Sequence, residues 1–170
     1  MPEPRLTPTS FIVLGLISQA GEATPYELKQ QVAATIGNFW SVPHAQLYNE
    51  PERLAAAGLL TEKIEKTGRR RKRYRLTKAG KEALQAWLDA PTSDFTELRD
   101  PGLLQLFLGA ELRPLADAQL EVHGARLKEY SRLRAAVADH LPERMRLVLD
   151  SGIGHEREWV RFWKNVLAGS

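Results

Sequence analysis

Positions 63–75 hold eight basic residues, Lys63, Lys66, Arg69, Arg70, Arg71, Lys72, Arg73 and Arg75, against one acidic residue, Glu65. That is a formal +7 in thirteen residues. A stretch this dense attracts a polyanion, because each phosphate it neutralises releases condensed counterions. An isolated charge run also suits a solvated basic loop, so the flanks matter. Leu59 to Ile64 leads in and Tyr74 to Thr77 leads out, both with rough period-two alternation, and Thr67-Gly68 between them is turn chemistry. The pattern predicts a β-hairpin wing with arginines at its tip, a shape that reaches along a duplex.

Three helices are expected before the hairpin. Pro8, Thr9 and Ser10 open an apolar stretch, Phe11 to Ile17, that stops at Gly21. Thr24 reads as an N-cap, with Pro25 at the first helical position and Glu27 three residues after the cap. Leu28 and Val32 follow at helical spacing, and this helix should end near Gly37. Ser41 is expected to cap the third helix, with Leu47, Leu54 and Ala55 on one face and Gly58 as the stop. Three short helices followed by a basic hairpin is the element order of a winged helix-turn-helix, an order many small α+β domains share.

After the hairpin, Thr77 caps a helix carrying Ala83, Leu84, Trp87 and Leu88, and Ala90-Pro91-Thr92-Ser93 breaks it. The rest reads as helical. Asp100-Pro101 starts one helix with Leu103, Leu104, Phe107, Leu108 and Leu112. Pro114 should start a long one bearing the stripe Leu120, Leu127, Tyr130, Leu133, Val137 and Leu141, spaced like a partner-facing seam. A last helix from about Gly154 carries Trp159, Val160, Trp163, Val166 and Leu167. About eighty residues in one helical layer close little core, which leaves the stripe and the tryptophans for a second copy or for packing on residues 1–90. The homodimer is the favoured arrangement.

A length of 170 residues allows one ordinary domain or two small ones, and 43% hydrophobic residues suit a folded protein. The absence of cysteine excludes disulfides, thiolate zinc sites, iron–sulfur ligation and a thiol nucleophile, and fits a reducing cytoplasm. The longest apolar run, Phe11 to Ile17, is far short of the roughly 20 residues that span a bilayer. Arg5 before it permits a signal peptide, but the run reads better as the first core helix. Residues 1–90 carry a net +4 and residues 91–170 a net −1.

Catalytic signatures are missing: there is no P-loop, G-x-G-x-x-G or G-x-S-x-G. His155-Glu156 opens an H-E-x-x-H pattern, but Trp159 stands where the second histidine belongs. An enzyme is not expected, and neither is a metal or other cofactor. Trp159, Trp163, Phe162 and Phe107 offer flat apolar surface for a cavity between subunits, or equally for plain core. No polar constellation identifies an inducer.

The block Ser41-Val42-Pro43-His44-Ala45-Gln46-Leu47-Tyr48, followed by Arg53-Leu54 and Gly58-Leu59, resembles the PadR family of bacterial transcription regulators. Tyr26, the Tyr74-Arg75-Leu76-Thr77 exit strand and Gly80 fit the same pattern. Leu103 to Gly109 and Gly154 to Trp159 look like the helical C-terminal domain of its longer members. The resemblance implies a dimeric repressor that binds a palindromic operator and is released by a small molecule. It puts the third helix in the major groove and the wing on backbone or minor groove. Ser41, His44 and Gln46 at the start of that helix would reach base edges, and Tyr48 a phosphate or base edge. Tyr26 joins this set, with Lys66, Arg69, Arg70, Arg71, Lys72 and Arg73 placed for phosphates. Pro51 departs from the family pattern, which has a helix-compatible residue there, so the helix should kink at Pro51 or break and restart.

The expected architecture is therefore mainly α. A winged helix-turn-helix DNA-binding domain spans 1–90, with a two-stranded β wing. A linker spans 91–99, and an all-α dimerisation domain spans 100–170. Phe107, Leu127, Tyr130, Trp159, Phe162 and Trp163 are the expected dimer or ligand-pocket residues. The partners are double-stranded DNA carrying an inverted repeat, a second copy of the chain and a small aromatic or apolar effector, in the cytoplasm and away from membranes. The competing readings are a protein-interaction adaptor that uses the wing for an acidic partner, and a non-specific architectural DNA binder.

Overall fold

The first helix, α1 (Pro8–Ala20), is set by its cap: the Thr7 side chain accepts from the Ser10 amide while Ser10 accepts from the Thr7 amide. The structure is a computed structural model and describes residues 5–65, 70–137 and 140–169. The chain divides into two units, residues 1–94 and 95–170.

In the first unit α2 (Pro25–Ala34) starts as the sequence predicts, with the reciprocal Thr24–Glu27 capping box and Pro25 in the first turn. It stops at Ala34 rather than near Gly37, and a 3-10 turn covers Ile36–Asn38. The next helix, α3 (His44–Ala56), is capped by Pro43 and not by Ser41, and no side chain bonds its first amides. Pro43 precedes the first helical residue, where its fixed φ of −58° suits the entry, and this leaves Ser41 outside the helix.

Pro51 neither breaks α3 nor restarts it: the helix runs through it as one element. The ring of Pro51 is fully buried. It occupies the same inward face as Leu47 and Leu54, so the packing of an apolar ring offsets the missing amide donor. Gly58 ends the helix as predicted, at φ +76°. The Leu59 amide reaches back to the Leu54 carbonyl and the Gly58 amide to the Ala55 carbonyl, which is a full Schellman closure.

Strands β1 (Leu60–Ile64) and β2 (Lys72–Leu76) pair antiparallel, Leu60 opposite Leu76 and Ile64 opposite Lys72. A single bridge adds Ala23 to Tyr74, with backbone bonds of 3.1 and 2.9 Å, so the wing is rooted in the α1–α2 turn. Helix α4 (Lys78–Asp89) begins at the predicted cap, Thr77, which accepts from the Gly80 amide and donates to the Gly58 carbonyl. A Cβ on Gly80 would lie 2.1 Å from the Leu59 carbonyl oxygen, so only glycine lets α4 start against the strand. Val13, Leu14, Ile17, Leu28, Leu47 and Tyr74 are among the residues that close the core of this unit. Phe11 stacks on Trp87 beside it, 4.6 Å between ring centroids.

The second unit holds α5 (Pro101–Phe107), capped by Asp100, then α6 (Leu112–Ala136) and α7 (Glu143–Ala168). Gly109, at φ +93°, ends the first of these before Leu112, which instead opens α6 two residues ahead of Pro114. Pro114 therefore lies in a first turn, where its missing amide costs nothing. The last helix starts at Glu143, eleven residues before the expected Gly154. Gly152 sits inside it because a Cβ there would come within 3.3 Å of the Tyr130 ring on α6. That glycine serves close helix packing rather than a stop. The core here is small, with Leu115, Ala116 and Trp163 buried and Leu103, Leu106, Trp159 and Phe162 half-buried around them. Leu104, Phe107, Leu108, Val122, Leu147 and Val148 are exposed. Among the described residues no helix is long and apolar enough to cross a membrane.

Candidate nucleic-acid interface

Helix α3 is two-faced. Leu47, Pro51 and Leu54 point into the core, which turns His44, Ala45, Tyr48 and Asn49 outward at helical spacing. Tyr48 is 44% exposed and Tyr26, on α2, 56%, so neither is core; the Tyr26 hydroxyl accepts from Gln30. Ser41 is exposed ahead of the helix. Gln46 is exposed too, but its carbonyl oxygen accepts from the Thr9 hydroxyl at 2.9 Å, which ties it to the start of α1 and leaves its amide nitrogen free to donate.

A second link between the same helices is half-buried. Ser10 donates to Glu50 at 2.6 Å, and Arg53 grips both Glu50 oxygens at 2.9 and 2.5 Å while also donating to Ser10. The Arg53 bonds, helped by Ser10, hold the Glu50 carboxyl below its usual range against the opposing effect of burial. This triad ties the first turn of α1 to α3.

The wing is less free than its sequence suggests. Lys72 bonds Glu52 of α3 at 2.6 Å and lies 3.3 Å from Glu62. Arg73 faces three carboxylates, Glu65 at 3.1 Å, Glu22 at 3.5 Å and Glu27 at 3.6 Å. Arg75 bonds Glu22, and Arg71 lies 3.6 Å from Glu65. The bonds to Glu52 and Glu65 raise the already high pKa values of Lys72 and Arg73 respectively. Tyr74 between them is buried, and burial together with its bond to Glu62 pushes its hydroxyl pKa well up. Among the described wing residues Lys63 and Arg70 carry no ion pair, and Arg70 sits at φ +49°. Lys66 and Arg69, with the Thr67-Gly68 turn, lie outside the described residues.

In the second unit an open apolar cleft of about 290 Å³ is lined by Leu103, His155, Glu158, Trp159 and Phe162. Two of the six residues expected here, Trp159 and Phe162, line it. Trp163 is fully buried beneath, Phe107 is exposed, and Leu127 and Tyr130 are half-buried on α6. The Trp159 indole donates to His155 Nε2 at 2.9 Å, which puts the His155 proton on Nδ1. Its ring stacks on His123, whose Nδ1 lies 2.7 Å from Glu156. Among the described residues no group of three or more His, Cys, Asp or Glu could hold a metal ion.

Residues 13–86, from α1 to α4, match the Transcriptional regulator PadR-like family. They are a PadR-like domain. A negative transcriptional regulator PadR of Bacillus subtilis is 27% identical over 173 residues, covering 93% of this chain and 94% of its own length. The structure of Bacillus subtilis PadR in complex with operator DNA superposes with a TM-score of 0.86 at 25% identity, over 98% of this chain and all of that one. The same protein in complex with p-coumaric acid gives 0.78 at 23% identity, over 96% and 97% of the two chains, a likeness of fold alone. The winged helix-turn-helix and the mainly helical class are thus those of PadR structures.

Several partners within the first unit had no signal in the linear sequence. Thr9, Ser10, Glu22 and Glu52 meet Gln46, Glu50, Arg73 and Lys72 across 20 to 51 positions of chain. Glu27 did have one, its place in a capping box, although its second task on Arg73 was hidden. Asn49 is also exposed on the open face of α3.

Proposed function

We propose that this chain is a transcriptional repressor that binds operator DNA as a homodimer through its PadR-like domain. Residues 1–90 read DNA, 91–99 link, and 100–170 dimerise and hold a small aromatic or apolar effector. His44, Gln46, Tyr48 and Asn49 on α3 face the major groove, with Ser41 and Tyr26 beside them. The wing, including Lys66, Arg69 and Arg70, meets phosphates. The observation that carries this is the polar, outward face of α3 next to a basic hairpin, in a domain whose relative has been solved with operator DNA.

The exposed leucines and valines of the second unit support self-association, since a monomer has little reason to leave so many apolar side chains in water. A two-fold dimer prefers an inverted repeat, with half-sites about one or two helical turns apart. The cleft at Trp159 is the place offered for an effector; p-coumaric acid bound to the Bacillus protein supports the class of ligand and not its identity. No step of this activity is catalytic, and it belongs in the cytoplasm with the DNA.

An anisotropy titration tests the reading. It compares a duplex from upstream of the protein's own gene with scrambled DNA at two salt concentrations. Tight, salt-sensitive preference for the upstream duplex is expected. Equal binding to both favours an architectural role, and no binding at low salt favours an adaptor for an acidic partner.

A further inference from the structure

Four carboxylates outside positions 63–75 converge on the wing: Glu22 from the α1–α2 turn, Glu27 from α2, Glu52 from α3 and Glu62 from β1. They bring the formal +7 of that stretch down to +3. They reach it from four separate parts of the domain. Resting on the DNA-binding reading above, we propose that Arg73 and Lys72 are positioning residues, which fix the angle of the wing relative to α2 and α3 and contact no phosphate.

Geometry separates these two side chains from the rest of the basic run. Arg73 is only 29% exposed and has a carboxylate for each of its three guanidinium nitrogens, Nε on Glu65 and the two terminal ones on Glu22 and Glu27. A phosphate would have to displace these partners and then sit among three negative charges. Lys72 is the direct tie between wing and α3, through Glu52, and Glu62 holds it from the strand side. A single exposed ion pair has little hold, but a guanidinium shared by three elements restrains all of them at once. The Ala23–Tyr74 bridge places the backbone of the same strand on the same turn, so side chains and backbone restrain the wing root together. Lys63 and Arg70, by contrast, lack such partners among the described residues and are free to neutralise phosphate.

The two roles differ in what salt does. A residue on phosphate releases about one counterion, so removing it lowers the salt slope by about 0.9 and weakens all DNA alike. A positioning residue leaves the slope intact and weakens only the duplex that needs a fixed wing angle. In the whole 170-residue chain, Arg70→Gln should lower the slope by that amount on upstream and scrambled duplexes. Arg73→Gln should keep the wild-type slope, lose about tenfold on the upstream duplex and little on scrambled DNA, and Arg73→Lys should recover part of the loss. A slope drop with equal losses on both duplexes for Arg73→Gln overturns the proposal.

A measurement without DNA makes the test independent of the regulator reading. The chain contains no cysteine, so Ala33→Cys on α2 and Lys63→Cys on β1 give a unique pair of spin labels. The distance distribution between them should be narrow, and should broaden when Arg73→Gln is added. An unchanged distribution overturns the positioning role. A wild-type protein that does not distinguish the two duplexes overturns the regulator reading instead, while the label distances still decide the wing.

Discussion

Ser10 Oγ lies 2.6 Å from Glu50 Oε1, joining the first turn of α1 to the middle of α3 across forty positions of sequence. Ser10 is fully buried, so its hydroxyl has no water to turn to if the partner is lost. Ser10→Ala removes a hydrogen bond to a charged acceptor and should lower stability by about 1.5–3 kcal/mol. Urea unfolding followed by circular dichroism measures this, and a loss under about 0.5 kcal/mol, the level of an ordinary surface change, would count against the link.

Acid should act through the same group. The pKa of Glu50 is lowered in the folded chain, chiefly by the bonds from Arg53. The stability this contributes is fully present above the unfolded carboxylate value and is lost as pH falls through the lowered folded value. Glu27, lowered chiefly by the Thr24 amide, acts in the same direction. Unfolding midpoints at falling pH should therefore drop less steeply in Arg53→Ala than in the wild type; identical acid profiles would argue against the coupling.

Two glycines should respond oppositely to a methyl group. A Cβ at Gly80 would press on the Leu59 backbone, which cannot rotate away, so Gly80→Ala should cost about 1–3 kcal/mol or more. Gly15, inside α1, has nothing within 4 Å of an added Cβ. Gly15→Ala should stabilise by about 0.5–1 kcal/mol through the helix backbone. Thermal melts of the two variants must move in opposite directions.

Gln46 has its carbonyl held by Thr9, which leaves the amide to donate to a base acceptor. Gln46→Ala should relax choice at particular base pairs, by roughly 1–3 kcal/mol if the contact is well formed. Thr9→Val should reproduce part of that loss although it removes no base contact. Binding to a panel of single-base operator variants decides, and equal weakening on every sequence would remove Gln46 from the reading set.

Trp159 lines the cleft and ties α7 to α6 through His123. Trp159→Ala should loosen the dimer or its response to aromatic ligands, read by sedimentation and by titration with p-coumaric acid. If neither moves, the residue is surface.

What the sequence made legible was local. The capping residues Thr24 and Thr77, the stop at Gly58 and the two strands follow from contacts within a few positions, and each lies where the pattern predicts. Pro51 was harder to read, because its propensity argues for a break while its burial between Leu47 and Leu54 is a tertiary fact. The basic run is countable in the sequence but its pairing is not, because Glu22, Glu27, Glu52 and Glu62 reach Lys72, Arg73 and Arg75 only once the chain has folded.

The Ala23–Tyr74 bridge also has a kinetic side. It joins positions 51 apart, and with the Glu22–Arg73 pair it couples the α1–α2 turn to the last strand. Contacts of such long sequence separation form late, after the entropy of closing the intervening loop has been met. A chain emerging from the ribosome can cap α1 and α2 early, yet the amide and carbonyl of Ala23 stay with water until β2 arrives. Reading helix and wing should therefore mature in one cooperative event, with no folded helical fragment available to grip DNA before the wing is in place.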